Sequence, residues 1–323
     1  MRRFHPSGLV SVLLALTLLA FGGAMGGSAQ AAASGGYWLV GSDGTVYEFA
    51  GAPLVGSAAR SSTAPPIVGM AATPAGQGYW LADADGKVTA LGNAKALGSA
   101  SGVHNVVGIA ATPTGAGYWL ATATGAILPF GDATNYGSMA GVTLARPMVG
   151  LAATPSGHGY WMVAGDGGIF SFGDARFYGS TGAIRLNQPI VAMASTESGG
   201  GYWMVAADGG IFSFGDAPFY GSTGSLDLAH PITAMEVTPA GDGYWMTDTH
   251  GRVFGFGGAT VAGDARDCSL PAPVVGMAAS GAGTLSPAPA PRWASLPPVL
   301  SSLSPMTWAR KAMASSARCA SPP

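Results

Sequence analysis

Along most of the chain, short apolar runs alternate with breaks rich in Gly, Pro and Asp, and the alternation recurs in units of one design. The unit from Pro147 to Ser180 shows the internal order. Met148 to Ala153 is apolar with small residues interleaved, and Thr154-Pro155-Ser156-Gly157 interrupts it. Tyr160 to Ala164 is a second apolar run, ended by Asp166-Gly167. Ile169 to Phe172 alternates apolar and polar before Gly173-Asp174, and Phe177-Tyr178 opens a short fourth segment. The pattern predicts four short strands joined by tight turns. No part of the unit carries the apolar period of a helix.

Gly-Tyr-Trp marks the register of the units. Its tryptophans are Trp38, Trp80, Trp119, Trp161, Trp203 and Trp245, spaced by 42, 39, 42, 42 and 42 residues. A period in this range belongs to solenoids, propellers and arrays. A second marker is the Gly of the Asp-Gly step, at Gly44, Gly86, Gly125, Gly167, Gly209 and Gly251, where the preceding residue varies. A two-residue hairpin turn with positive φ is expected there. Antiparallel strands four to a repeat predict an all-β chain, a β-propeller of about six four-stranded blades. In it each Trp fills the gap between neighbouring blades, a burial worth roughly 2–3 kcal/mol. The strand typified by Val149 to Ala153, with its Gly and Ala, suits the crowded innermost position. The repetitive part opens on Gly36-Tyr37-Trp38 and ends on an unpartnered inner strand, Pro273 to Ser280. Pairing of that last strand with the first blade would complete six blades; a seven-bladed or truncated propeller is the alternative count.

The two ends of the chain read differently. Arg2 and Arg3, the apolar run Leu9 to Phe21 and Ala29-Gln30-Ala31 form a secretory signal peptide over residues 1–31, with Ala33 the second choice of cleavage site. The repeats then occupy 32–283. Residues 284–323 contain no Gly but eight Pro and eight Ser, which fits either a disordered Pro/Ser tail or a slipped reading frame. No later apolar run is long enough to span a bilayer, so the mature chain is expected to be secreted or wall-associated, without a membrane span and monomeric.

Composition narrows the function classes. Hydrophobic residues at 48% exclude a disordered chain, and 52 Gly without a three-residue period exclude collagen. A net charge of −2 argues against nucleic acid as a partner. The two cysteines, Cys268 and Cys319, are too few for a disulfide scaffold or a Cys-rich zinc site, and the reading leans against a structural disulfide.

Gly-Tyr-Trp, the run Asp166 to Ala175 with its copy Asp208 to Ala217, and the Phe-Tyr-Gly-Ser segments at Phe177 and Phe219 resemble a repeat of secreted actinobacterial proteins. That family looks like a β-propeller and often accompanies cell-wall hydrolases or peptidase domains. The resemblance implies an extracytoplasmic binding or structural role at the wall, without carrying over an enzymatic activity.

A residue present in every unit is explained by what every unit needs, whereas a single site should show as a departure from the repeat. Asp132, Asp174 and Asp216 each supply one carboxylate per loop, which suits turn capping better than calcium. The histidines His104, His158, His230 and His250 lack the spacing of a metal site. No nucleophile elbow or phosphate loop occurs, so no catalytic residue, metal or cofactor is assigned. The least repetitive connections each hold one basic residue: Arg60, His104, Arg146, Arg185, His230 and Arg266. These six are the candidate ligand-binding set, with cell-wall glycan or an anionic wall polymer as the partner. The rival is a wall hydrolase or lyase whose carboxylates converge in the propeller channel, or a truncated remnant of one.

Overall fold

The computed structural model describes residues 35–281, apart from 62 and 101. The segment expected to be a signal peptide, residues 284–323 and Cys319 lie outside the described residues. Strands form six sheets, each of three antiparallel strands. The first sheet holds β1 (Tyr37–Gly41) and β2 (Val46–Phe49). The second holds β3 (Ile67–Ala72), β4 (Gly78–Asp83) and β5 (Val88–Gly92), and the third β6 (Val106–Ala111), β7 (Gly117–Thr122) and β8 (Ile127–Gly131). The fourth is β9 (Met148–Ala153), β10 (Gly159–Ala164) and β11 (Ile169–Gly173); the fifth is β12 (Ile190–Ser195), β13 (Gly201–Ala206) and β14 (Ile211–Gly215). The sixth contains β15 (Ile232–Val237), β16 (Gly243–Asp248) and β17 (Val253–Gly257). The last strand, β18 (Val274–Ala279), returns to the first sheet and gives it the order β18-β1-β2.

Aromatic side chains on the middle strands hold sheet to sheet. Each Trp of the Gly-Tyr-Trp motif is buried and lies against the motif Tyr of the next repeat, with ring centroids 5.1–5.8 Å apart. The sixth such pair, Trp245 with Tyr37 at 5.2 Å, joins the last repeat to the first. The core is therefore six small clusters between sheets. Both polar atoms of each pair are satisfied. Trp161 Nε1 donates to Arg176 O at 2.7 Å, and Tyr160 Oη donates to Gly137 O in the preceding repeat at 2.5 Å. A buried indole or phenol left without such a partner would cost about 1–3 kcal/mol.

Those bonds explain why the sheets have three strands rather than the expected four. The outer segment around Phe177-Tyr178 gives Arg176 O to the indole and Gly179 O to Tyr202, and its Tyr178 amide donates to the Tyr202 phenol at 3.2 Å. With those groups taken by side chains, and Gly179 at φ +141°, no ladder extends to β11. The segment runs as an irregular rim that exposes Phe177, and its copy in the next repeat exposes Phe219.

The hairpin turn also differs from expectation. Ala164 N donates to Gly168 O at 2.9 Å and Gly167 N to Ala164 O at 2.8 Å, so three residues form the loop rather than two. Only Gly167 is at positive φ, +78°, while Asp166 caps the loop by accepting from Gly168 N at 3.0 Å. A three-residue loop with a left-handed final residue needs Gly at that one position, which accounts for an unvarying Gly after a varying neighbour.

Candidate functional site

Two features of the described residues depart from the repeat. One is a groove of about 630 Å³ between the fourth and fifth sheets, lined by Arg146, Pro147, Asp166, Arg185, Asn187 and Gln188 among others. Arg146 and Arg185 are exposed, on the connections that lead into β9 and β12. Neither takes part in an ion pair among the described residues. A guanidinium presents a planar fork of donors suited to phosphate or carboxylate, and the amides of Asn187 and Gln188 add neutral donors and acceptors.

The other four basic candidates sit elsewhere. Arg60 is half-buried and tied to Asp83 at 2.5 Å and to Thr89 Oγ1 at 3.1 Å. His104 meets Asp85 at 2.8 Å, and Arg266 meets Asp264 at 3.1 Å. His230 stacks on His250 with ring centroids 3.4 Å apart. The set of six is thus dispersed, and only Arg146 and Arg185 share a groove.

The second feature is a central cavity in two adjoining parts, of about 280 and 160 Å³. Its smaller part is lined by the first strands of five sheets and by β18. Those walls are Gly, Ala, Val, Ser, Thr, Met, Ile and Leu, with one carboxylate, Glu236 on β15. Opposite each motif Trp, the paired residue is Ala71, Ala110, Ala152, Ala194 or Ala278, and in the sixth sheet it is Glu236. Burial pushes its carboxyl up to about 7, partly offset by the Ala279 amide, which donates to it at 3.4 Å. Sequence reasoning passed over Glu236, although aligning the repeats puts a lone acid in a column of alanines.

Asp132, Asp174 and Asp216 act as ties within the loops. Asp174 accepts from Thr154 at 2.9 Å and from Ser156 at 2.5 Å, and the other two repeat the arrangement with Thr112 and Thr114, and with Thr196 and Ser198. Burial opposes ionisation of Asp174, but the two hydroxyls and His158 hold its carboxyl below the usual range. Among the described residues, no three His, Cys, Asp or Glu gather as a metal site, and no helix is long and apolar enough to cross a membrane. The expectation about a disulfide between Cys268 and Cys319 falls on a residue outside the described ones.

No protein-family model and no curated protein matches the chain. Among solved structures it is similar to the β-propeller domain of Myceliophteria thermophila Cps50 (Swd1), with 14% identity and a TM-score of 0.48, over 76% of this chain and 83% of that one.

Proposed function

We propose that the six sheets are the blades of a closed propeller, and that the protein works outside the cytoplasm as a non-enzymatic binding module of the cell envelope. Its ligand is an anionic glycan or wall polymer held in the groove of Arg146 and Arg185. Pairing of β18 with β1 and the Trp245–Tyr37 contact support closure. The leader read from Arg2 to Ala31 and the resemblance to secreted wall-associated repeats support the location. The observation that carries the binding role is the presence of two exposed guanidinium groups, without ion-pair partners among the described residues, on one groove. Glycoside hydrolysis ordinarily uses a pair of carboxylates, and the central cavity offers Glu236 alone, which favours a module over the hydrolase.

The test is retention on purified cell wall at rising salt, for the natural chain and for Arg146→Ala/Arg185→Ala. Retention of the natural chain should weaken with salt, as charge contacts at an exposed site do. The double variant should lose at least about tenfold in affinity, equivalent to 1.4 kcal/mol, with its melting temperature unchanged. Equal retention of the two proteins would remove the groove from the account.

A further inference from the structure

Glu236 is a costly residue for a scaffold. Five of the six sheets place Ala at its position, and a carboxylate set into an apolar wall loses hydration that a single long amide contact does not restore. The strands packed against β15 are β12, β13, β16 and β18. They bring no basic side chain, and their titratable groups are Tyr202, Tyr244 and Asp248. The Tyr202 and Tyr244 phenols donate to Gly179 O and Gly221 O, and the Asp248 carboxylate accepts from the His250 and Arg252 amides. Ser195 and Thr233, hydroxyls on the same walls, already donate to Ala153 O and Val274 O. Among the described residues nothing supplies a counter-charge to Glu236, yet the side chain lines both parts of a cavity large enough for a small organic molecule.

We propose that the central cavity binds an organic ammonium ion bearing an apolar chain, with the ammonium at Glu236 and the chain against Met70, Ile109, Leu151 and Met193. A bare divalent cation does not suit the site, because calcium takes six to eight oxygens and the walls are apolar. An alkylammonium needs one carboxylate for its head and hydrocarbon for its tail, and thioether and aliphatic side chains of adaptable shape supply the latter. This site is separate from the groove of Arg146 and Arg185 and has the opposite charge preference.

Hexylammonium is the probe, followed through the methyl signals of isotope-labelled methionine at pH 5 and pH 8. Glu236→Ala restores the residue of the other five repeats, and Glu236→Gln keeps the shape without the charge. The Met70 and Met193 signals should shift on titration, with affinity at least about tenfold tighter at pH 8 than at pH 5, because the carboxylate must be ionised. Both variants should bind at least about tenfold more weakly, as expected for loss of a desolvated charge pair. Hexanol, which has the chain without the charge, should not distinguish the natural protein from Glu236→Ala. Unmoved methionine signals, or equal hexylammonium affinity in the natural protein and Glu236→Ala, would overturn the proposal.

Discussion

Five of the sheets are made from chain segments that follow one another directly, whereas the first borrows β18 from the far end of the repeats. The two kinds of sheet nevertheless agree in detail. In the fourth sheet Tyr160 faces Ala153 and Trp161 faces Ala152, with a shift of register between Val163 and Ala164. In the first, Tyr37 faces Ala279 and Trp38 faces Ala278, with the shift between Val40 and Gly41. Tyr37 also reaches back to Gly263 O at 2.5 Å, as Tyr160 reaches back to Gly137 O. Side-chain chemistry, and not chain connectivity, therefore specifies the sheet. Closing a loop across the whole set of repeats costs about 3 kcal/mol more than closing a five-residue turn, since the entropy grows only with the logarithm of length. The same row of contacts offsets that cost at the seam.

Truncating the motif Trp is the strongest way to break this equivalence. Trp161→Ala and Trp38→Ala should each cost about 3–5 kcal/mol in urea unfolding. A clearly smaller loss at Trp38 would mean that the first sheet is loosely made. The turn glycines give a second comparison, across the two kinds of sheet. A side chain at Gly167 would collide with Thr181 Oγ1 and one at Gly44 with Ala58 O, both at positive φ. Gly167→Val and Gly44→Val should each lose about 2–4 kcal/mol, and Asp166→Asn under about 0.5 kcal/mol. Thermal melts rank the three.

Glu236 sharpens the comparison beside the seam, since it accepts from the amide of Ala279 on β18. Its folded pKa lies above its ordinary value, about 7 against 4.5. The unfolded chain therefore releases this proton first as pH rises. The group's stabilising share is complete below about pH 4.5, declines through about pH 7 and then stays lost, a fall on the order of 1–3 kcal/mol. Denaturant titrations of the natural protein and of Glu236→Ala should differ by that slope. Parallel pH profiles would show that the carboxyl is not desolvated.

The all-β class, the three strands of each sheet and the places of the turns were legible because alternation, Gly and Pro act locally. The irregular rim was not, because Phe177-Tyr178-Gly179-Ser180 reads as a strand until the indole and phenol claim its backbone. The Asp-Gly step reads as a two-residue turn until the carbonyl of Gly168 is seen to set the loop at three. The candidate site was legible in part. The variable loops pointed to Arg146 and Arg185, but the partners of Arg60, His104 and Arg266 are carboxylates distant or unmarked in sequence. Glu236 required the repeats to be aligned column by column.

Hydrogen exchange at the seam tests the central claim, that the first and last repeats are joined as tightly as any neighbouring pair. The Ser42 amide donates to Pro273 O at 2.9 Å, as Gly165 donates to Pro147 O at 3.0 Å and Ala207 to Pro189 O at 2.9 Å. The Ser280 amide donates to Gly36 O at 2.8 Å. On a closed propeller, Ser42 and Ser280 should be protected to within about tenfold of Gly165 and Ala207, a difference of 1.4 kcal/mol or less in opening free energy. Exchange of Ser42 and Ser280 at the rate of an unstructured chain, while Gly165 and Ala207 stay protected, would contradict the claim.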